Sequence, residues 1–318
     1  MKDRTDIAVV GAGAIGCYFG AMLARAGMTV TLIGRPKHVE PISRNGLVFQ
    51  SSGREERIPI AATTEMAAIG AARLILFCVK SLDTEDAARQ MMPHLAPDAV
   101  VLNLQNGVDN VERIRRHVKN QVIPVLVYAA AEMPAPGTVR HTGGGNLVIG
   151  LMNEPRADDP AARRTVGEIA ELFTAAGVPI EISDSIEADL WTKLVMNCAY
   201  NAICALGGAP YGRMVAMPEI RDVMRDIVNE VVAVARAKDV HLPDTIVEAV
   251  FKLADVMPQT MSSTAQDLAK GKRTEIDHLN GYVVRQGEAL GVPTPVNRML
   301  NALMKLLEQT KTGPRGGR

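Results

Sequence analysis

Along the first 180 or so positions, short apolar runs alternate with stretches in which apolar residues recur at helical spacing. Residues 7–10, 29–33, 74–79, 99–104 and 122–127 form such runs, each the length of a strand buried on both faces. Strands alternating with helices predict a parallel sheet with helices on both sides. Between the second and third runs, Asn45-Gly46 and Ser51-Ser52-Gly53 bracket residues 47–50, and residues 57–60 can pair back as an edge hairpin. Gly143, Gly144 and Gly145, followed by residues 146–150, suggest another turn and strand near the far edge. From about Ser185 the β-branched alternation stops and helical spacing takes over, predicting helices over residues 186–206, 218–238, 244–256, 275–290 and 296–308. The chain has 318 residues, more than one hydrophobic core usually serves. The expected organisation is therefore an α/β domain over residues 1–184 and an all-helical domain over residues 185–318.

The first strand runs into Gly11-Ala12-Gly13-Ala14-Ile15-Gly16, a G-x-G-x-x-G placed between a strand and a helix. The first glycine permits the tight turn, the second lets backbone approach a pyrophosphate, and the third lets helix pack on strand. That context favours a doubly wound sheet that binds a dinucleotide over a merely glycine-rich turn. The end of the second strand selects the dinucleotide, because an acid there would accept bonds from a ribose hydroxyl and repel a 2′-phosphate. The sequence instead reads Ile33-Gly34-Arg35-Pro36-Lys37, which favours NADPH, although Arg35 also reads as a solvated loop residue. Lys80 and Asn106 follow the third and fourth runs, at the strand ends where such sheets place ligands. Lys80 serves equally as a solubilising boundary residue. Asn106 has the stronger case, since Gly107 frees the backbone beside it.

In the helical half, residues 190–206 read LWTKLVMNCAYNAICAL, apolar on nearly every side. Such a helix is buried. Lys193, Asn197 and Asn201 stand at i, i+4 and i+8 and share one face. A buried ammonium needs partners. One reading pairs Lys193 with a carboxylate and lets the asparagines bridge helices. The other supplies what reduction of a keto acid requires, a cation to polarise and protonate the carbonyl and amides to orient the substrate. A second polar cluster comprises Ser262-Ser263, Gln266-Asp267, Thr274-Glu275-Ile276-Asp277 and Asn280-Gly281. Thr274 reads as a helix cap, Ser263 as a possible carboxylate donor, and most of the others as caps and surface residues.

Composition narrows the partners. Lysine and arginine number 35 and aspartate and glutamate 35, so no global field draws the chain to nucleic acid or anionic lipid. Cys17, Cys78, Cys198 and Cys204 lack C-x-x-C spacing and nearby histidines, which reads as four reduced core thiols in a cytoplasmic protein without a metal. The charged start leads straight into a strand, the apolar run at 74–79 is far too short to span a bilayer, and residues 313–318 read as a frayed end. Long helices in the second domain offer a surface for a homodimer.

These motifs together resemble the ketopantoate reductase family: GAGAIG at the start, Lys80, Leu104-Gln105-Asn106-Gly107, LWTKLVMN from Leu190, and Ser262-Ser263 followed by TEIDHLNG from Thr274. The resemblance implies a Rossmann domain joined to a helical domain, with the active site in the cleft between them. It implies Lys193 as catalytic proton donor, and Asn106, Asn197, Asn201 and Ser263 as substrate-binding residues, with Asn106 also touching cofactor. Gly11 to Gly16, Arg35, Lys80 and Glu275 fall on cofactor-binding positions, with NADP as the cofactor and Arg35 on its 2′-phosphate. The implied reaction is reduction of ketopantoate to pantoate on the way to pantothenate and coenzyme A. The departures lie on the substrate side: Ala202-Ile203-Cys204 replace a common Pro-Leu-Thr, and Tyr211 stands near a position often held by asparagine. Another branched 2-keto acid on the same scaffold is therefore an alternative. A relative of the β-hydroxyacid dehydrogenases would bring a glycine-rich approach to the lysine, which residues 188–192 lack. A non-catalytic NADPH-binding regulator would have no use for the lysine and amide set.

Overall fold

In a computed structural model of the chain, residues 6–152 and 159–312 are described. The charged start and the end expected to fray lie outside them, apart from Asp6. The chain divides into two compact units, Met1–Asn106 with Asn110–Ile186, and Gly107–Asp109 with Glu187–Arg318. No helix among the described residues is long and apolar enough to cross a membrane, and no cluster of three or more His, Cys, Asp or Glu side chains among them is placed to share a metal ion. All four cysteines are free.

The first unit carries strands β1 (Asp6–Val10), β2 (Thr29–Ile33), β3 (Leu47–Ser51), β4 (Arg54–Ile58), β5 (Ala61–Thr63), β6 (Leu74–Phe77), β7 (Val100–Asn103), β8 (Val122–Ala135), β9 (Thr138–Ile149) and β10 (Ile180–Ile182). Its helices are α1 (Ala14–Arg25), α2 (Pro36–Asn45), α3 (Thr84–Met91), α4 (Asn110–Arg115) and α5 (Pro160–Ala175). The sheet order is β4-β3-β9-β8-β7-β6-β1-β2-β5, with β10 on β9. From β8 to β5 every pairing is parallel.

The alternation of side chains explains why these strands are apolar throughout. Ile7 and Val9 of β1 join Val30, Leu32, Leu74 and Leu76 in a core covered by Phe19 of α1 and Phe173 of α5. Ala8 and Val10 face the other way, with Ile75, Phe77 and Val101, under Ala88 and Met91 of α3 and Ile114 of α4. Both faces are buried, as a doubly wound sheet requires.

Past β8 the sheet departs from the expected pattern. Val122 to Pro124 pair parallel with β7, and from Val125 the same strand pairs antiparallel with β9. The strand expected to stop at residue 127 continues to Ala135, and the chain reverses at Gly137, where φ is 74°. Gly143 to Gly145 therefore lie inside β9, where the register with β8 shifts, and make no turn. A Cβ on Gly144 would collide with the Tyr128 carbonyl oxygen, so glycine accommodates the irregularity. The β3–β4 hairpin forms at the sheet edge, with its second strand three residues earlier than expected because Ser52 and Gly53 take up positive φ.

The second unit is helical: α6 (Ile186–Gly207), α7 (Tyr211–Val215), α8 (Pro218–Ala237), α9 (Ile246–Val256), α10 (Ser263–Ala269), α11 (Asn280–Leu290) and α12 (Pro295–Thr312). Trp191 and Tyr200 of α6 are fully buried, and the Tyr200 hydroxyl donates to the Val250 carbonyl at 2.7 Å. Glu230 of α8 accepts from the Val296 and Asn297 backbone N–H groups at 2.8 and 2.9 Å and so caps α12. The helix expected over 275–290 is interrupted: Ile276–His278 form a 3-10 turn, and α11 begins at Asn280. Thr274 accepts from the Ile276 N–H at 3.3 Å, consistent with its reading as a cap.

Candidate active site

In the parallel part of the sheet the strand order β7-β6-β1-β2 brings four carboxyl ends side by side, and each carries a residue singled out from the sequence. After β1, Gly11 adopts φ 113°, and a Cβ there would meet the backbone of Cys78 and Val79 at 2.6 and 2.7 Å. Its N–H and that of Ala12 donate to the Ile33 carbonyl at 2.9 and 3.0 Å, which binds the loop to the end of β2. A Cβ on Gly16 would collide with the Gly11 carbonyl oxygen and lie 2.9 Å from Val9. A Cβ on Gly13 would meet nothing within 4 Å. The first and third glycines are thus required by close packing, and the second faces open space where a ligand can approach. The first turn of α1, which includes Ala14, Ile15 and Gly16, has no acidic residue, and no side chain caps it. Its amides suit a pyrophosphate, so the loop fits a dinucleotide.

At the end of β2, Gly34 lies against Ala12, where a Cβ would come within 2.7 Å of the alanine side chain. Arg35 follows at the position before α2, without a side-chain bond to that helix's first turn, exposed, with its Nη2 2.8 Å from Asp83 Oδ2. The end of β6 leads to exposed Lys80. The end of β7 leads to half-buried Asn106.

The loops carrying Lys80 and Asn106 are tied together by a residue that sequence reading missed. Asn110 is completely buried. Its Nδ2 donates to the Asn106 carbonyl at 2.7 Å and to Ser81 Oγ at 3.1 Å, while its Oδ1 accepts from Thr84 Oγ1 at 3.0 Å and from Arg113 Nη1 at 2.9 Å. Gln105 adds bonds to the Val79 carbonyl at 2.9 Å and to Thr84 Oγ1 at 2.8 Å. An asparagine opening a short helix reads as an ordinary cap in sequence, and only its burial distinguishes it.

In the second unit, Lys193, Asn197 and Asn201 lie on successive turns of α6, the first two half-buried and Asn201 buried. Burial lowers the Lys193 pKa from 10.5 to about 8, against the pull of the Glu275 carboxylate. Glu275 is itself buried, just before the 3-10 turn. Lys193 and Glu275 therefore interact within one unit. Most of the lysine remains protonated at pH 7, yet it surrenders its proton far more readily than an exposed ammonium.

The two serines separate. Ser263 is exposed in the first turn of α10, whereas Ser262 is buried, accepts from the Ala265 N–H and donates to the Asn201 carbonyl at 3.2 Å. Ser262 anchors α10 to α6 and leaves the Ser263 side chain on the open side. Tyr211 is buried against Tyr200, ring centroids 4.2 Å apart.

Known proteins match both halves of the chain. The family model described as ketopantoate reductase PanE/ApbA matches residues 7–154, and its C-terminal counterpart matches residues 185–308. The 2-dehydropantoate 2-reductase of Halobacterium salinarum is 33% identical over 306 residues, spanning 95% of this chain and 99% of that protein. The crystal structure of a PanE/ApbA family ketopantoate reductase from Ralstonia eutropha JMP134 is 48% identical, with a TM-score of 0.90 over 96% of this chain and 99% of that one. D-mandelate dehydrogenase, solved with NADH and anilino(oxo)acetate, gives a TM-score of 0.88 at 25% identity over 96% and 99% of the two chains. By both its halves, this chain belongs to the ketopantoate reductase family.

Proposed function

We propose that this chain is an NADPH-dependent reductase of 2-dehydropantoate, forming pantoate for pantothenate biosynthesis in the cytoplasm. The observation that carries the reading is an acidified lysine on a helix face with two asparagines, in a chain whose other unit presents a dinucleotide loop. NADPH, when bound, supplies the hydride to C2 of the keto acid. In this reading the first unit is the cofactor domain: Gly11 to Gly16 cradle the pyrophosphate, Arg35 takes the 2′-phosphate, and Lys80 and Asn106 serve the nicotinamide side. The second unit is the substrate and catalytic domain. Lys193 Nζ polarises the ketone oxygen and gives it a proton, Asn197, Asn201 and Ser263 orient the carboxylate and hydroxyl, and Glu275 supports the protonated lysine and the cofactor ribose.

A second reading, another 2-keto acid on the same scaffold, is favoured by one observation. The resemblance marks Tyr211 and the Ala202-Ile203-Cys204 segment as departures on the substrate side, and the buried Tyr211 packs against the same helix that carries Lys193. Oxidation of NADPH measured against a panel of 2-keto acids including 2-dehydropantoate separates the two. Highest kcat/KM on 2-dehydropantoate supports the first reading. A preference of tenfold or more for an aryl or other branched keto acid supports the second.

A further inference from the structure

Arg35 is held by a carboxylate. Its Nη2 lies 2.8 Å from Asp83 Oδ2, and the arginine and aspartate side chains are 81% and 46% exposed. Asp83 comes from a different part of the chain than Arg35, which follows β2. It ends the 3-10 turn Ser81–Asp83 that follows β6, three residues after Lys80, and reaches sideways to the end of β2. The first turn of α2, which begins beside Arg35, carries no acidic residue, so the negative charge on this arginine is brought from a separate loop. That loop has a fixed place: Ser81 and Thr84, on either side of it, are completely buried and bonded to Asn110.

Sheets that prefer the unphosphorylated dinucleotide place an acid at the end of the second strand. Here that position is an arginine, and the acid sits on the arginine. We infer that Asp83 is a specificity-determining residue that competes with the 2′-phosphate of NADPH for the Arg35 guanidinium, and so holds down the preference for NADPH over NADH. This rests on the reading of Arg35 as the phosphate-binding residue. A guanidinium carries one positive charge, and a phosphate bound to it bidentately must displace the carboxylate or share the cation with it. Holding Arg35 in place is a small benefit, because a pair this exposed contributes little and opens readily. Repulsion is larger. A carboxylate and a phosphate of charge about −1.5 to −2, roughly 5 Å apart in water, repel enough to weaken binding about tenfold.

The test measures Kd by calorimetry for adenosine 2′,5′-bisphosphate and for ADP, together with KM for NADPH and NADH, in the wild type, Asp83→Asn, Arg35→Ala and the double variant. Both side chains are exposed, so the variants should fold, and circular dichroism checks that they do. Asp83→Asn should tighten adenosine 2′,5′-bisphosphate about tenfold, change ADP less than twofold, and widen the NADPH preference in KM by a similar factor. In the Arg35→Ala background the competition for the guanidinium is gone but the direct repulsion remains, so the same substitution should still tighten adenosine 2′,5′-bisphosphate severalfold. If Arg35→Ala selectively weakens the 2′-phosphorylated ligands but Asp83→Asn leaves them unchanged or weakens them, Asp83 is a support for Arg35 and the inference is wrong. If Arg35→Ala weakens both ligand classes equally, the assignment of Arg35 to the phosphate fails, and the inference with it.

Discussion

Replacing Glu275 by Gln tests how the site sets the acidity of Lys193. Burial draws the lysine pKa down to about 8, and the Glu275 carboxylate opposes that fall, so removing its charge leaves desolvation unopposed. A unit charge about 4 Å away acts with about 4 kcal/mol at the effective dielectric near a protein surface and about 1 kcal/mol in water. Lys193 is half-buried, so about 1.5 kcal/mol is a reasonable intermediate, equivalent to one pH unit. A proton donor works only while protonated, so activity is present below its pKa and lost as pH rises through it. The kcat/KM profile of the wild type with saturating NADPH should bend downward near pH 8. In Glu275→Gln the bend should move about one unit lower, and activity at pH 6 should be retained better than activity at pH 8. A variant profile bending at the same pH as the wild type would refute the coupling. A wild-type profile flat to pH 10 would refute the lowered pKa itself.

Two further substitutions probe the scaffold. Asn110→Ala deletes four hydrogen bonds, two buried and two part-buried, for a loss of about 2–4 kcal/mol, and should lower Tm by about 5–10 °C while raising the KM for NADPH more than it lowers kcat; unchanged Tm and KM would remove Asn110 from its positioning role. Glu230→Ala uncaps α12 and should cost about 1–2 kcal/mol with kcat preserved at saturation, partly restored by Glu230→Gln; loss of turnover without loss of Tm would contradict a purely structural role.

The parts of this fold legible in sequence are those set by local pattern. The run from β1 through the glycines into α1 is specified by contiguous residues, and so is the stripe on α6, because the helix repeat alone aligns Lys193, Asn197 and Asn201. What escaped depends on distant partners. The length of β8 is set by its pairing with β9, and the three glycines in β9 mark register shifts that a local reading takes for a turn. Which of two adjacent serines faces inward depends on where α10 docks on α6, and the sequence SS carries no sign of it. Asn110 looks like any helix-opening asparagine until its four partners are seen, three of them from separate parts of the chain or from the next turn of α4. The contact between Arg35 and Asp83 joins residues 48 positions apart, through the order of strands in the sheet.

Lys193→Ala tests the proton donor most directly, in two assays against the wild type: NADPH affinity by fluorescence titration and single-turnover oxidation of NADPH by 2-dehydropantoate. The Kd for NADPH should stay within about twofold of wild type and the rate should fall by about 10²–10⁴. A rate within tenfold of wild type, at full NADPH occupancy, would contradict that role.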